Sequence, residues 1–382
     1  MSSSRWRVLG AICVAASVLT GCAPTSLPGA DLADTSPTPP RATPDPIYWL
    51  SLEQRVGQLF MVGSSASVAE GITQALVHDR FVGSVFLYGR SAGGVDATAT
   101  VVEALTAQSA GNIPVFVATD QEGGSVQVLS GPGFSTMPSA VRQGEMTPDV
   151  LAAQAAVWGS ELAAAGVNVN LAPVADIVTG PGSGNRPIAG FRRQYGYDQS
   201  SVETYAGAFI HGMTAAGVAS TLKHFPGLGY VTGNTDEVAN VTDTTIGPDH
   251  ANVLCFATLI DDGAPFVMMS SAVYSQIDPS APAVFSPTVV ALLRDTLGFE
   301  GIIITDDMSG AAQIRQWTPA ERAVLSIQAG VDIVLVSRSP GTTNEMLDAV
   351  IAKANAEPEF AALVDEAARR VVVQKVLLGI GR

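Results

Sequence analysis

Gly301-Ile302-Ile303-Ile304-Thr305-Asp306-Asp307-Met308 is the stretch whose reading decides the fold. Four consecutive positions are β-branched, and three of them are isoleucine. A strand with one wet face alternates apolar and polar residues, whereas a strand buried on both faces runs continuously apolar. The run therefore predicts a central parallel strand. Its polar residues gather at the C-terminal end, where open and closed α/β sheets keep their chemistry. Downstream, Pro319–Gly330 carries helical spacing with proline in the first turn. Val331–Val336 then reads as the next strand.

The same alternation extends back along the chain. Strand-length apolar runs occur at Leu59–Gly63, Gly83–Gly89, Pro114–Asp120, Val167–Asp176, Ala219–Gly227 and Pro265–Val273. Together with the two above they make eight. Ala-rich segments at Ala97–Ser109, Pro148–Ala165, Gln199–Ala216 and Pro248–Asp262 separate them, with Pro148, Pro248 and Pro319 each in a first helical turn. Glu359–Leu378 reads as a final helix on the barrel exterior. Eight β/α units predict a (β/α)8 TIM barrel as one catalytic domain, residues 46–382. A doubly wound sheet is the competitor, but no Gly-x-Gly-x-x-Gly turn follows an early strand.

Of the 382 residues, 47% are hydrophobic and 14% charged, and the formal net charge is −15. Such a chain buries a large core, and its acidity argues against a nucleic-acid partner, which needs Lys and Arg on phosphates. At the N-terminus, Arg5 and Arg7 precede an apolar run, Val8–Val18, too short to span a bilayer. It ends in Leu19-Thr20-Gly21-Cys22, which resembles the lipobox of bacterial lipoproteins. That resemblance implies a leader at 1–21, lipid on the Cys22 thiol, and an extracytoplasmic protein anchored to the cell membrane. The competing reading is an ordinary secretion signal. Residues 22–45, rich in Pro, Thr, Ser and Asp, read as a disordered tether. Cys255 lies among apolar residues and reads as a buried thiol.

The strand ends are rich in ionisable groups: Asp120 and Glu122 after the third, Asp176 after the fourth, Lys223 and His224 on the fifth, Asp306 and Asp307 on the seventh. A strand-end Asp often caps the next helix, and Asp307 is a candidate for that role. Convergence of Asp120, Lys223, His224 and Asp306 on one rim instead predicts an active site. No Gly-x-Ser-x-Gly elbow or phosphate loop occurs, and the four histidines have no zinc spacing, so no metal is expected. Lys223 as a Schiff-base lysine is one option. The surplus of carboxylates favours glycoside cleavage.

Four motifs carry a resemblance over residues 50–340. They are Ala118-Thr119-Asp120-Gln121-Glu122-Gly123-Gly124, Asn170-Leu171-Ala172-Pro173-Val174-Ala175-Asp176, Lys223-His224-Phe225-Pro226-Gly227 and the Gly301–Ser309 strand. In this order they resemble the family 3 glycoside hydrolases, in particular the NagZ-type β-N-acetylglucosaminidases. The resemblance implies Asp306 as covalent nucleophile, and Asp120, Arg193, Lys223 and His224 as sugar-binding residues, with Arg192 as a substitute for Arg193. It implies an amino-sugar substrate, such as muropeptide fragments; that mechanism requires no metal or organic cofactor, and a monomer is expected.

The family's acid/base loop reads Asp-x-His. Here it reads Asn234-Thr235-Asp236, and no histidine lies between His224 and His250. Asp236 stands at the histidine's position and is the expected acid/base. Glu237, Asp243 and a catalytically impaired sugar-binding lipoprotein are the alternatives. A β-glucosidase-type glycosidase and a sugar phosphorylase also remain open. Ser125 and Val128 stand where the family carries arginines, and strand six, Met268-Met269-Ser270-Ser271, lacks the family's histidine.

Overall fold

The computed structural model describes residues 45–380 except 108 and 110–112. The leader, Cys22 and residues 22–44 of the tether lie outside the described residues. Eight parallel strands form the centre: β1 (Phe60–Ser65), β2 (Ser84–Tyr88), β3 (Phe116–Thr119), β4 (Val169–Asn170), β5 (Ala219–Phe225), β6 (Phe266–Met269), β7 (Ile302–Thr305) and β8 (Val334–Val336). From β1 to β7 each strand pairs with the next, and β1 pairs with β8 in the register Phe60↔Val334. A parallel bridge between Ile304 and Ile333 closes the ring. The protein is the expected (β/α)8 barrel, with helices outside the sheet.

Strand periodicity sorts the side chains. Met61, Phe86, Phe116, Val169, Phe266, Ile302 and Ile304 fill the barrel interior. Their neighbours Phe60, Val85, Val117, Val267 and Ile303 point outward beneath the helices. Successive side chains alternate faces, so Phe116–Ala118–Asp120 and Ile302–Ile304–Asp306 each climb one inner wall. The lower positions are apolar and the top position is a carboxylate. Barrel periodicity therefore places Asp120 and Asp306 at the C-terminal mouth.

The helix Pro319–Ala329 shows how sequence sets element ends. Thr318 and Glu321 form a reciprocal capping box, Pro319 occupies the first turn, and Gly330 stops the helix at φ 102°. The helix expected from Pro248 instead begins at Ala251, because His250 caps it through Nδ1, which accepts from the Asn252 amide at 3.2 Å. Pro248 lies in the preceding turn. The long strand expected over Val167–Asp176 shrinks to Val169–Asn170: Pro173 has no N–H to give a ladder, and only Val174 rejoins β5, in an isolated bridge with Lys223.

The final helix, Pro358–Leu377, packs outside the sheet through Phe360, Val364 and Ala368, and its C-terminal half turns under the barrel. That half lies across the N-terminal ends of the strands and plugs the base of the barrel. Val371 joins the interior cluster, with Leu378 and Ile380 packed against it. Beside them Lys375 is buried, donating to Gln58 Oε1 at 2.6 Å and to the Gly83 carbonyl at 2.8 Å. Its ammonium also lies 5.2 Å from the centre of the Phe116 ring. Burial without a carboxylate partner pulls its pKa down to about 7. Between that value and its ordinary one, the unfolded chain holds a proton that the folded chain releases. Stability is therefore expected to rise with pH from about 7 towards 10. Urea unfolding across that range should lose this slope in Lys375→Met, and an unchanged slope would reject the assignment.

Candidate active site

Asp120, Arg193, Lys223, His224, Asp236 and Asp306 all line one cleft of about 770 Å³ at the C-terminal mouth of the barrel. Phe86, Leu171, Met268 and Leu335 form its apolar floor. Each wall is built by a different strand end.

After β3 the chain turns into a tight hairpin, Gln121–Gly123 against Val126–Gln127. Gly123 has φ 100°, and a Cβ there would fall 2.2 Å from the Pro138 carbonyl oxygen, so only glycine fits. The hairpin buries Glu122 behind Asp120. On β5 the register with β6 shifts between Lys223 and Phe225. This bulge lets Lys223 and His224 both reach the cleft, while Phe225 packs outward on Phe256.

These side chains interlock. Lys223 Nζ lies 2.7 Å from Asp120 Oδ1 and 2.6 Å from Glu122 Oε1. Arg193 grips Glu122 with two parallel bonds of 2.8 Å, from Nε and Nη2. Burial pushes the Glu122 carboxyl up, but the charges of Arg193 and Lys223 and their hydrogen bonds win and hold it at about 2. Burial disfavours the Lys223 cation, yet Asp120 and Glu122 outweigh that and raise its pKa. A Schiff-base role needs a neutral amine, so this pairing weighs against it. Asp176, wholly buried, accepts from His224 Nδ1 at 2.8 Å and from the backbone amides of His224 and Leu228 at 3.2 and 2.6 Å. An ionised carboxylate only accepts, so Nδ1 carries the proton and Nε2 faces Arg193 Nη2 at 3.5 Å. Arg192, by contrast, is an exposed left-handed cap residue at φ 58°.

Glu122 and Asp176 were visible as strand-end carboxylates, but their roles were not. The two-residue step from Asp120 to Glu122 would place both on one face of an extended strand, and the hairpin overrides that parity. Removing one member of a buried charge network leaves the others uncompensated. Glu122→Ala is therefore expected to cost about 3–5 kcal/mol, read as a lower urea midpoint. A wild-type midpoint would refute its part as the counter-charge of Arg193 and Lys223.

Asp306 differs from this network. Its Oδ1 accepts from the Asp307 amide at 2.8 Å, and its carboxylate makes no ion pair among the described residues. Asp307 holds the turn that follows rather than a helix. Its Oδ1 accepts from the Ser309 and Ser337 amides at 2.9 Å each, and its Oδ2 from Gly310 at 3.0 Å.

Asp236 reaches the cleft from the loop after β5. That loop is tied to the segment after β7: Ala312 N–H donates to the Asp236 carbonyl at 3.2 Å, and Gln313 N–H to that of Thr235 at 3.0 Å. The Gln313 side chain clasps Val241 in both directions, at 2.8 and 3.1 Å. The elements carrying Asp236 and Asp306 are thus pinned to each other. The Asp236 carboxyl is walled by the cleft yet open to solvent on its inner side. Desolvation by those walls, then the charges of Asp306 and Asp307, raise its pKa to about 6 against the opposing pull of Arg338 and His224. Glu237 pairs with Arg186 at 3.0 Å. Asp243 is buried in a turn, accepting from the Thr245 and Ile246 amides, and does not line the cleft.

A closed (β/α)8 barrel with a carboxylate-rich mouth, one of its acids raised and another unpaired, is the layout of a glycoside hydrolase. The Glycosyl hydrolase family 3 N terminal domain matches residues 51–373, and the chain belongs to that family. It is 34% identical over 286 residues to a "Beta-hexosaminidase" of Xanthomonas oryzae pv. oryzae, covering 72% of this chain and 81% of that protein. A solved beta-N-acetylhexosaminidase from Beutenbergia cavernae superposes with a TM-score of 0.85 at 56% identity, over 86% of this chain and 99% of that one. A family 3 beta-N-acetylglucosaminidase from a Paenibacillus species gives 0.80 at 29% identity, over 86% and 63%.

Proposed function

We propose that the chain is a retaining, exo-acting β-N-acetylglucosaminidase in which Asp306 is the nucleophile and Asp236 the acid/base. The observation that carries this reading is the pairing of a raised carboxyl, Asp236, with an Asp306 that makes no ion pair among the described residues, in one cleft. A carboxyl whose pKa is raised can give a proton, and a second carboxyl group in the same cleft can attack, which divides the roles of acid and nucleophile.

In the first step an Asp306 oxygen bonds the anomeric carbon as the bond to the leaving oxygen breaks, and Asp236 gives that oxygen its proton. In the second, the Asp236 carboxylate takes a proton from water, whose oxygen displaces Asp306. Two inversions retain the β configuration. Asp120, Lys223, His224 and Arg193 bind and orient the sugar, their geometry held by Glu122 and Asp176. The amino-sugar preference rests on the names of the relatives. Peptidoglycan-derived fragments with a terminal β-linked N-acetylglucosamine are the substrates, met outside the cytoplasmic membrane by a monomer anchored through lipid on Cys22.

Hydrolysis of 4-nitrophenyl β-N-acetylglucosaminide beside the β-glucoside, with and without phosphate, tests the reaction. Faster cleavage of the amino sugar, independent of phosphate, is expected. Preference for the glucoside, or a sugar phosphate as product, would replace this reading with one of its family alternatives. Mass spectrometry of the N-terminus from the membrane fraction tests the anchor.

A further inference from the structure

We infer that the base of the barrel, opposite the catalytic mouth, is a membrane-contacting face that seats the enzyme on a lipid bilayer with its cleft turned away. The inference rests on the proposal that Cys22 carries lipid. The most exposed large apolar side chains among the described residues are Leu377 at 72% and Tyr48 at 70%. Trp49 is 49% exposed, and Val376 and Val373 are exposed as well. They belong to two segments that meet. On the final helix, Val371, Lys375 and Leu378 face the barrel interior, so at 100° per residue positions 369, 373, 376 and 377 fall on the outward side. Arg369, on that outward side, pairs with Asp45 at 2.7 Å. Asp45 opens the turn that presents Tyr48 and Trp49, and Ile47 and Leu50 anchor that turn in the core.

The chain outside the described residues joins the domain here. Residues 23–44 separate Cys22 from Asp45, a length that extends to roughly 70 Å, so the tether alone does not press the base onto a bilayer. Exposed Leu and Val beside Tyr and Trp supply that contact. Tyr and Trp settle at the level of lipid headgroups, and an apolar helix face lies in the interface plane. No helix among the described residues is long and apolar enough to cross a membrane. The C-terminal strand ends, with the cleft, then point into the space that holds the substrate.

The test uses the full-length protein purified from membranes and reconstituted into phosphatidylglycerol–phosphatidylethanolamine vesicles with brominated acyl chains. Trp158 is buried and Trp317 packs on the core, so Trp49 is the tryptophan of the mature chain placed to meet lipid. Bromine is expected to quench the Trp49 emission, because an interfacial tryptophan sits at headgroup level beside the acyl chains. Trp49→Phe should remove the quenchable component, and Tyr48→Ser with Leu377→Ser should weaken quenching without changing hydrolysis of the aryl glycoside. Acylated protein that floats with vesicles yet is not quenched would overturn the orientation while leaving the anchor intact. The same result with a dimer in detergent would assign the face to a second copy. A chain that neither carries lipid nor floats would overturn the anchor itself, and the orientation with it.

Discussion

Replacing Asp306 by alanine is expected to lower kcat for the aryl N-acetylglucosaminide by on the order of 10⁴-fold, with the fold and sugar binding kept. The retention of fold follows from what Asp306 does not do. It makes no ion pair among the described residues, and its side chain accepts only a local bond from the Asp307 amide. The charges that hold the mouth together belong to Asp120, Glu122, Lys223 and Arg193. Loss of turnover with unchanged unfolding therefore separates chemistry from structure. Added azide sharpens the result. In the alanine variant azide enters the space left by the carboxylate and displaces the aglycone once, giving the α-glycosyl azide. A β product, or activity near wild type in a folded variant, would remove Asp306 from the nucleophile's role.

The position of Asp306 was legible because the Ile302–Ile304 run fixes both strand and parity, and a residue two further on must face the mouth. The barrel was legible for the same reason, repeated eight times. The expected Val167–Asp176 strand overran because an apolar stretch reads as strand whether or not its amides have partners, and Pro173 breaks the ladder. The final helix was legible as a helix, but the seat of its C-terminal half was not: Val371 and Lys375 meet the barrel base only through contacts far away in sequence. Glu122 and Asp176 were hidden for a related reason. Whether a carboxylate faces substrate or braces a cation depends on a hairpin at Gly123 and a bulge at Lys223, and neither has a period. Asp236 was singled out by register with the Asp-x-His loop, and it lines the cleft. Its raised pKa was not legible, since that needs the cleft walls and the nearness of Asp306.

Asp236 is expected to set the pH profile of the enzyme. With Asp236 as the proposed acid, the glycosylation step needs its proton, and the walls of the cleft, Asp306 and Asp307 raise its pKa to about 6. The rate constant kcat/KM should be level just below that value and fall about tenfold per unit above it, the form expected of a general acid. Arg338 pulls this pKa down, so Arg338→Ala should move the falling limb to higher pH, a shift independent of any change in binding. Asp236→Ala should lose the limb altogether. Its cost for a sugar leaving group, which must be protonated, is expected at about 10²–10⁴-fold. Nitrophenolate leaves without that help, so the aryl substrate should suffer less in its first step. The second step still lacks a base, and the glycosyl-enzyme should accumulate with kcat and KM falling together. Azide needs no base and should restore turnover, this time giving the β-glycosyl azide because it attacks after the first inversion. An unchanged limb in Asp236→Ala would hand the proton to another group, and Glu237, on the same cleft wall, is the next carboxylate to replace.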